Sequence, residues 1–386
     1  MKAPVIDMIE IGAGGGSIAS IDEVGLLRVG PRSAGSDPGP ACYGKGGTEP
    51  TVTDANLLLG YYDPEFFLGG QMALDKAAAE EAVSTVAGPL GLAPEEAAWG
   101  VHKVVVESMA GAARVHLVEK GKDPRRHAMV GFGGAGPAHA VGVARALGVR
   151  EVIVPPASGA ASAVGFLAAP LSFEQVRSMP VRMVDGFDAA AVNAVLGDLE
   201  EQGRAKLAEA GVPDGVVRVE RTADMRLIGQ LHEISVPLPD GVIDAGSLGR
   251  IRDAFADTYK ARYTSLYEGA EIEAISFRVT SFGPTPSVSL TSSAAAAESV
   301  PSKKGTRNAY FNSGWVEVDV HDRYALVAGD RIDGPAIIEE RESTTVIPPG
   351  DSVLVDPALN LRIEVAAPEE ASAVVTADTR TRKRSR

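Results

Sequence analysis

Residues 128–137 read AMVGFGGAGP, an apolar segment that runs into a glycine-rich turn and then into an alanine-rich helical pattern. A strand, a glycine turn and a helix in this order are typical of α/β folds that bind anions where the helix begins. The stretch contains G-x-G-x-x-G at Gly131, Gly133 and Gly136, the pattern of dinucleotide-binding folds. The next predicted strand, Glu151 to Val154, runs into Pro155 and lacks the acidic residue that should follow it to bind ribose. The pattern therefore favours nucleotide binding over an NAD site.

A second glycine-rich segment, residues 9–19, reads IEIGAGGGSIA. Glycines allow backbone N–H groups to approach phosphate oxygens closely. A P-loop would end in Gly-Lys-Ser/Thr, but Ile18 follows Ser17 here and the next lysine is Lys45, so this is not a Walker A motif. The segment is either a phosphate-binding turn of another kind or a plain glycine-rich hairpin turn.

Residues 29–55 are rich in glycine and proline, which predicts a long ordered loop. Cys42, the only cysteine, has no histidine near it in sequence, and we interpret it as a buried structural thiol. Asp54 has two interpretations: it binds Mg²⁺, or it caps a helix that begins at Ala55. His139, just after the turn quoted first, either contacts a nucleotide or lies on a helix surface.

The charge of the chain excludes some functions. It carries 37 basic and 51 acidic side chains, a formal net charge of −14. Five of the basic side chains lie within residues 380–386, so the remainder is more acidic still and repels nucleic acid phosphates. No run approaches the roughly 20 apolar residues that span a bilayer, and no apolar signal segment follows Met1. We therefore expect a cytoplasmic protein that binds neither nucleic acid nor membrane.

The pattern along the chain predicts several segments. Residues 1–175 alternate strand-like and helix-like stretches, and Pro94 and Gly121 mark the ends of a predicted helix from Pro94 to Lys120. The remaining segments are a predicted α+β domain, a linker, a small β-rich unit and a disordered basic tail, over residues 176–284, 285–308, 309–366 and 367–386 respectively.

Six segments carry a more specific signal. They are IGAGGGSIASID (11–22), VGPRSAGSDPGPACYGKGGTEPTVTDANLLLG (29–60), VGFGGAGPAHA (130–140), GAASAVGFLAA (159–169), ADMRLIGQLHEISV (223–236) and GDRIDGPAIIEERESTTVIPPG (329–350). In this order and spacing they resemble the hydantoinase A/5-oxoprolinase family. The resemblance covers almost the whole chain apart from residues 285–308 and the basic tail.

The resemblance implies an α/β chain that forms the second half of an actin/sugar-kinase-like (ribonuclease H-like) ATPase fold, followed by the α+β domain and the β-rich unit. It implies ATP and Mg²⁺ as cofactors. Gly14, Gly15, Gly16 and Ser17 match the family's second phosphate-binding turn, and Gly133, Gly134 and Gly136 match its adenosine turn. Asp54 is the candidate metal ligand, and no catalytic residue is assigned.

The activity implied is ATP-dependent hydrolysis of a cyclic amide or imide, such as a hydantoin or 5-oxoproline, through phosphoryl activation of the carbonyl oxygen. The expected partner is a hydantoinase B-type subunit in a hetero-oligomer. The chain opens on Pro4-Val5-Ile6-Asp7, which resembles mid-protein family sequence. We therefore expect that the family's amino-terminal phosphate turn comes from elsewhere, such as another chain, and that this chain alone is inactive. Two alternatives remain open: an acetone- or acetophenone-type ketone carboxylase subunit, and a non-catalytic remnant or scaffold.

Overall fold

A computed structural model describes residues 8–263, 271–287, 302–312 and 314–367. The chain divides into two compact units. The larger unit lies within Asp7–Val164 and Ser289–Arg386, and the smaller one within Gly165–Val288. Among the described residues, the smaller unit is thus one stretch that interrupts the larger one in sequence.

Six helices belong to the larger unit or lead out of it. Their bounds are α1 Val52–Leu58, α2 Phe67–Gly70, α3 Lys76–Leu90, α4 Pro94–Glu119, α5 Gly136–Leu147 and α6 Ala161–Ala168, the last at the passage into the smaller unit. The predicted helix from Pro94 is observed as α4, with Pro94 in its first turn, where the missing N–H costs nothing. Glu96 accepts a hydrogen bond from the Ala93 N–H at 3.0 Å and so satisfies one free donor at the helix start.

A five-stranded sheet lies at the centre of the larger unit, in the order β11-β14-β15-β4-β3. The strands are β3 Met129–Val130, β4 Glu151–Val154, β11 Arg331–Asp333, β14 Ser352–Val355 and β15 Leu361–Glu364. β3 and β4 are parallel, and β15 pairs antiparallel with β4 from Leu361 opposite Val154 to Glu364 opposite Glu151. Residues from the end of the described chain thereby complete a sheet that begins before residue 155.

The other strands of the larger unit form a four-stranded sheet, β13-β12-β10-β9, and a two-stranded one, β1-β2. Their bounds are β1 Ser17–Ile21, β2 Leu27–Ser33, β9 Lys303–Phe311, β10 Gly314–Asp322, β12 Ala336–Glu340 and β13 Ser343–Ile347. Apolar side chains of the four-stranded sheet, Ile337 and Val346 among them, join those of α1, α3 and α4 in one buried cluster. Leu57, Val83 and Val101 represent the three helices in that cluster.

Two features differ from the sequence-based expectations. The segment 309–366 is not a separate unit, because β15 pairs with β4 and Tyr310 donates a backbone hydrogen bond to Leu59 at 2.8 Å. The predicted linker 285–308 contains the first six residues of β9, an edge strand that pairs with β10. The tail over 368–386, and residues 288–301 of the linker, lie outside the described residues.

The smaller unit is a four-stranded antiparallel sheet, β5-β8-β6-β7, covered by two helices. Its elements are β5 Ser172–Arg182, α7 Ala189–Glu209, β6 Arg218–Leu227, β7 Ile234–Pro237, α8 Ser247–Tyr263 and β8 Ile272–Phe282. Apolar residues of β8 pack with Leu196 and Phe255 of the helices in one buried cluster. They alternate in two runs, Ile272 with Ala274 and Phe277 with Val279, on either side of a register irregularity. This is the period-two burial of a sheet with one covered face.

The opposite face of this sheet carries cross-strand ion pairs. Arg278 lies 3.1 Å from Asp224 and also pairs with Glu174, while Arg226 Nε lies 2.9 Å from Glu273. Asp224 and Arg226 thus have the structural role of a polar sheet face.

None of the helices in the described ranges is both long enough and apolar enough to cross a bilayer.

The ion pair between Arg145 on α5 and Asp351 generates a stability prediction. Arg145 Nη2 lies 2.7 and 2.6 Å from the two oxygens of the buried Asp351 carboxylate, which also accepts the Ala366 N–H at 2.9 Å. Asp351→Ala leaves both donors without their acceptor and should lower the free energy of unfolding by about 3 kcal/mol. Urea denaturation measures this loss.

The matched control is Glu151→Ala, which breaks the exposed pair between Arg362 and Glu151 on the same sheet. Exposed pairs contribute less than about 1 kcal/mol. Equal losses in the two variants would contradict a stabilising role for the buried pair.

Candidate functional site

The two glycine-rich turns meet at one pocket of the larger unit, with a volume of about 400 Å³. Gly15 and Gly16 line it from the first turn, and Gly134 and Ala135 line it from the second. The turns approach closely, since a Cβ atom added to Gly15 would lie 3.6 Å from the Ala135 Cβ. Segments about 120 residues apart in sequence therefore share one cavity.

The first turn is held by its carbonyl groups, which leaves N–H donors free. The Gly15 carbonyl accepts the Thr53 N–H at 2.8 Å and the Thr53 hydroxyl at 2.9 Å. The Ser17 hydroxyl folds back on the turn, accepting the Gly14 N–H at 2.9 Å and donating to the Gly12 carbonyl at 3.2 Å. Among the described residues the N–H groups of Gly15 and Gly16 have no acceptor.

The second turn is held from behind by residues that follow β4. Gly133 donates its N–H to the Ser158 carbonyl at 2.8 Å, and Ser158 donates its hydroxyl to buried Glu340 at 2.8 Å. Glu340 also accepts the Ala157 N–H at 2.7 Å and so supports the left-handed backbone of Ala157, where φ is 53°. Glu340 thus holds the loop at Ala157 and Ser158, and Ser158 in turn holds the second glycine turn.

Helix α5 begins at this second turn. In the part of the chain that the structure describes, no acceptor contacts the N–H groups of Gly134, Ala135 or Gly136. Unpaired N–H groups at the start of a helix, together with the positive end of its dipole, favour anionic groups. Both turns therefore offer donors suited to an anion.

The hairpin of β12 and β13 forms a third wall, with Glu339 to Thr344 lining the pocket. Glu339 is buried but neutralised, because Lys304 and Arg307 lie 2.6 and 2.7 Å from its oxygens. Lys45 and Arg341 also line the pocket, and neither has an acidic partner among the described side chains. The pocket lining therefore includes two cations without an acidic partner within the described ranges, together with the carboxylates of Glu340 and Glu342.

Part of the pocket wall is aromatic and apolar. Tyr43, Phe66, Phe67 and Met72 line it, and the rings of Tyr43 and Phe67 are 5.8 Å apart. The pocket therefore combines backbone N–H donors with an apolar wall that can cover a flat ring.

The predicted site residues divide into two groups. Gly15, Gly16 and Gly134 line the pocket. Gly14, Ser17, Gly133 and Gly136 lie in the same two turns without lining it, and Gly14, Ser17 and Gly133 are occupied by hydrogen bonds that shape the turns.

The hairpin and the aromatic wall were not predicted as site residues. The signal that could have found the hairpin is residues 329–350, one of the six segments that carry the resemblance.

Asp54 caps helix α1. Its carboxylate is fully buried and accepts hydrogen bonds from the backbone N–H groups of Ala41, Cys42 and Thr51 at 3.3, 2.8 and 2.9 Å. The Thr51 hydroxyl donates to it at 2.7 Å. The helix begins at Val52 and not at Ala55, with Thr51 as its N-cap, and Asp54 is the third helical residue, whose side chain completes a capping box with Thr51. Mg²⁺ binding by Asp54 stays a prediction, and these four donors argue against it.

Cys42 is a fully buried thiol whose pKa is raised by burial and by the neighbouring Asp54 carboxylate. A thiol held protonated in this way is a poor nucleophile. Across the described ranges, no three His, Cys, Asp or Glu side chains are placed to hold a metal ion together.

His139 fits neither of its two interpretations. It is 1% exposed, and its ring stacks on the equally buried His102 with centroids 4.6 Å apart. Burial lowers the pKa of His139 to about 4, so the ring is neutral near pH 7. It belongs to a polar network beneath the second turn.

Comparison with known proteins decides the family. A sequence profile described as hydantoinase/oxoprolinase matches residues 1–175, and one for the hydantoinase/oxoprolinase C-terminal domain matches residues 185–363. The chain belongs to the hydantoinase/oxoprolinase family. Family membership explains why the two glycine turns and the segment 329–350 occur in the same chain.

Two relatives align with nearly the whole of this chain. Caprolactamase subunit alpha of Pseudomonas jessenii is 36% identical, over 92% of this chain and 52% of the relative. The 5-oxoprolinase 1 of Arabidopsis thaliana is 32% identical, over 95% of this chain and 30% of the relative. The two relatives are named after caprolactam and 5-oxoproline, and both of these compounds are cyclic amides.

Two solved structures have a similar fold. The ATP-dependent caprolactamase from Pseudomonas jessenii matches with a TM-score of 0.75 and 35% identity, and nucleotide-free acetone carboxylase with a TM-score of 0.76 and 27% identity. Each match covers 92% of this chain and 52% of the other. The chain thus spans about half the length of these relatives, and both are described as ATP-dependent.

The neutral state of His139 generates a pH prediction. Its pKa falls from an ordinary 6.5 to about 4 on folding, so the unfolded chain binds this proton more readily. Stability is therefore complete above pH 6.5 and declines as the pH falls towards 4. Between pH 7 and pH 5 the His139 contribution should fall by about 2 kcal/mol.

Urea denaturation at the two pH values measures this loss, with His139→Gln as the variant that does not titrate. The wild-type chain should lose about 2 kcal/mol more than the variant. The same loss in both would show that another group carries the pH dependence.

Proposed function

We propose that this chain binds ATP between its two glycine turns and takes part in ATP-dependent hydrolysis of a cyclic amide or imide. One observation carries the proposal: two sets of unpaired N–H groups, at Gly15 and Gly16 and at Gly134 and Ala135, line a single pocket. A scaffold has no need for two such sets of donors. Membership of a family with ATP-dependent relatives supports the same assignment.

The proposal includes an actin/sugar-kinase-like architecture for the larger unit, as its second half. The succession of β3, a glycine turn and α5, with the parallel β4 beside β3, is in keeping with that architecture. In this interpretation the Gly14–Ser17 turn binds phosphate and the Gly133–Gly136 turn binds adenosine. The aromatic wall at Tyr43 and Phe67 then offers a surface for a flat ring.

When bound, ATP supplies a phosphoryl group that converts an unreactive amide oxygen into a good leaving group. The work left to the protein is positioning and neutralisation of charge. Backbone donors of the two turns bind phosphate oxygens, and Lys45 and Arg341 supply positive charge at the pocket wall. Mg²⁺ would add further positive charge, with ligands contributed in part by the phosphates.

A ketone carboxylase is the second candidate, favoured by the acetone carboxylase structure with its TM-score of 0.76. Fold similarity alone does not separate the candidates, since caprolactamase matches equally well. Sequence identity of 35% against 27% places the chain nearer caprolactamase and favours the amide hydrolase.

Turnover is proposed to need more than this chain. The caprolactamase and acetone carboxylase relatives are about twice as long, and the caprolactamase relative is itself named as a subunit. We propose that the amino-terminal phosphate turn of the family and a hydantoinase B-type subunit complete the enzyme, and that the isolated 386-residue chain binds ATP without hydrolysing it at a useful rate.

ATP binding is the first prediction of this proposal. A ligand that binds only the folded state raises the melting temperature, so Mg-ATP should stabilise the chain in a concentration-dependent way. Gly15→Ala should weaken binding at least tenfold, about 1.4 kcal/mol, because the new Cβ would lie 2.8 Å from the Thr53 hydroxyl that holds the turn. Isothermal titration calorimetry measures both affinities.

Gly14→Ala is the graded comparison in the same turn, since its Cβ would meet no atom within 4 Å. Its affinity should fall less than that of Gly15→Ala. Absence of ATP binding in the wild-type chain would refute the proposed site.

The substrate class is tested with the complete assembly. ATP hydrolysis should rise when caprolactam, 5-oxoproline or hydantoin is added, and the ring-opened product should form in step with ADP. A ketone with bicarbonate should leave the basal rate unchanged. Stimulation only by the ketone and bicarbonate would instead identify a carboxylase.

A further inference from the structure

A connected network of four buried polar side chains lies in the larger unit beneath the pocket. Asn56 on α1 is at its centre: its Nδ2 lies 3.1 Å from His139 Nε2 on α5 and 3.2 Å from the Tyr62 hydroxyl. Its Oδ1 lies 3.0 Å from His102 Nδ1 on α4. All four side chains are at most 7% exposed.

The network is uncharged near pH 7. Burial holds the pKa of His102 and His139 below the ordinary histidine value, and it raises that of Tyr62 to about 12. With neutral rings, the Asn56 amide donates to His139 Nε2 while its carbonyl accepts from His102 Nδ1. A single amide therefore satisfies groups on two other helices at once.

Helices α1 and α5 support the two glycine turns. Thr53, three residues before Asn56 on α1, holds the Gly15 carbonyl with two hydrogen bonds. His139 is the fourth residue of α5, which begins at the second turn. The bond from Asn56 to His139 thus joins the helix that holds the first turn to the helix that starts at the second.

We infer that Asn56 is a positioning residue that fixes the separation of the two glycine turns through its hydrogen bond to His139, and thereby sets the affinity for nucleotide. The inference rests on the proposed function. Donors that bind one ligand from two sides must be held to within about 0.5 Å of the productive geometry. A direct polar link between the supporting helices meets that need better than apolar packing, which allows small sliding motions.

The experiment uses the full 386-residue chain and two pairs of variants. Asn56→Leu and His139→Leu each remove the hydrogen bond and fill the buried position with an apolar side chain instead. His139→Gln retains an acceptor near the position of Nε2. Val83→Ala, on α3 in the same hydrophobic cluster as α1 and α4, lowers stability without touching the network.

The first measurement needs no nucleotide. Hydrogen exchange followed by mass spectrometry reports the Thr53 and Gly133 amides, which donate to Gly15 and Ser158 at 2.8 Å. Asn56→Leu and His139→Leu should each increase the exchange rate at least fivefold, both in peptides that contain the Thr53 amide and in peptides that contain the Gly133 amide. Val83→Ala and His139→Gln should leave both near the wild-type rate. Unchanged exchange in the two leucine variants would overturn the coupling.

The second measurement is the affinity for Mg-ATP at 25 °C, on variants shown to be folded by circular dichroism. The leucine variants should bind at least tenfold more weakly, His139→Gln within threefold of wild type, and Val83→Ala within twofold. Folded leucine variants with wild-type affinity would overturn the inference. If the wild-type chain binds no ATP, the proposed function fails, and the exchange data alone still decide whether Asn56 couples the turns.

Discussion

The pairing of β15 with β4 is the constraint on which the larger unit depends. β3 and β4 have two and four residues, too few to form a stable sheet by themselves. Four backbone pairs, from Leu361 opposite Val154 to Glu364 opposite Glu151, extend this fragment with β15, and β14 and β11 follow. Buried Val152, Val154, Leu361 and Ile363 then pack together in one apolar cluster. The strand before α5, and with it the second glycine turn, is fixed by residues about 200 positions later.

The pocket also depends on residues from the later part of the chain. Its hairpin wall comes from the later part of the chain and reaches the second turn through Glu340, which holds the backbone at Ala157 and Ser158. Gly159 makes the approach possible, because a Cβ there would lie 2.4 Å from the Glu342 Cβ. Each glycine turn thus owes its shape to a neighbour distant in sequence: the first to Thr53, the second to Ser158 and Glu340.

Local patterns in the sequence predicted local structure well. Helix α4 is observed from Pro94 to Glu119 against a prediction of Pro94 to Lys120, because proline and glycine mark its ends. Strand β4 has the predicted bounds, Glu151–Val154. Both glycine segments form turns that reach one pocket.

The sequence could not predict partners over long distances. β9 is an edge strand whose first residues are exposed, so Lys303–Phe311 lacks the apolar run that identifies a buried strand. The β12–β13 hairpin turns at Arg341 and Glu342, with no glycine or proline to mark it. His139 lacked any local sign of burial, since its partners are on α1 and α4. The Asn56 amide reaches His139 only when the three helices pack together.

The interruption of the larger unit by residues 165–288 has a consequence for synthesis on the ribosome. The smaller unit is continuous, so all its strands and helices have emerged before translation is finished. β4 must wait for β15, about 200 residues later, which at roughly 5–20 residues per second is a delay on the order of 10–40 s. During that interval an unpaired strand edge and the apolar side of α5 remain without their final neighbours. The nascent chain therefore presents a surface for chaperones between one folding event and the next. A premature stop before residue 361 would leave the larger unit without β15, the strand that pairs with β4.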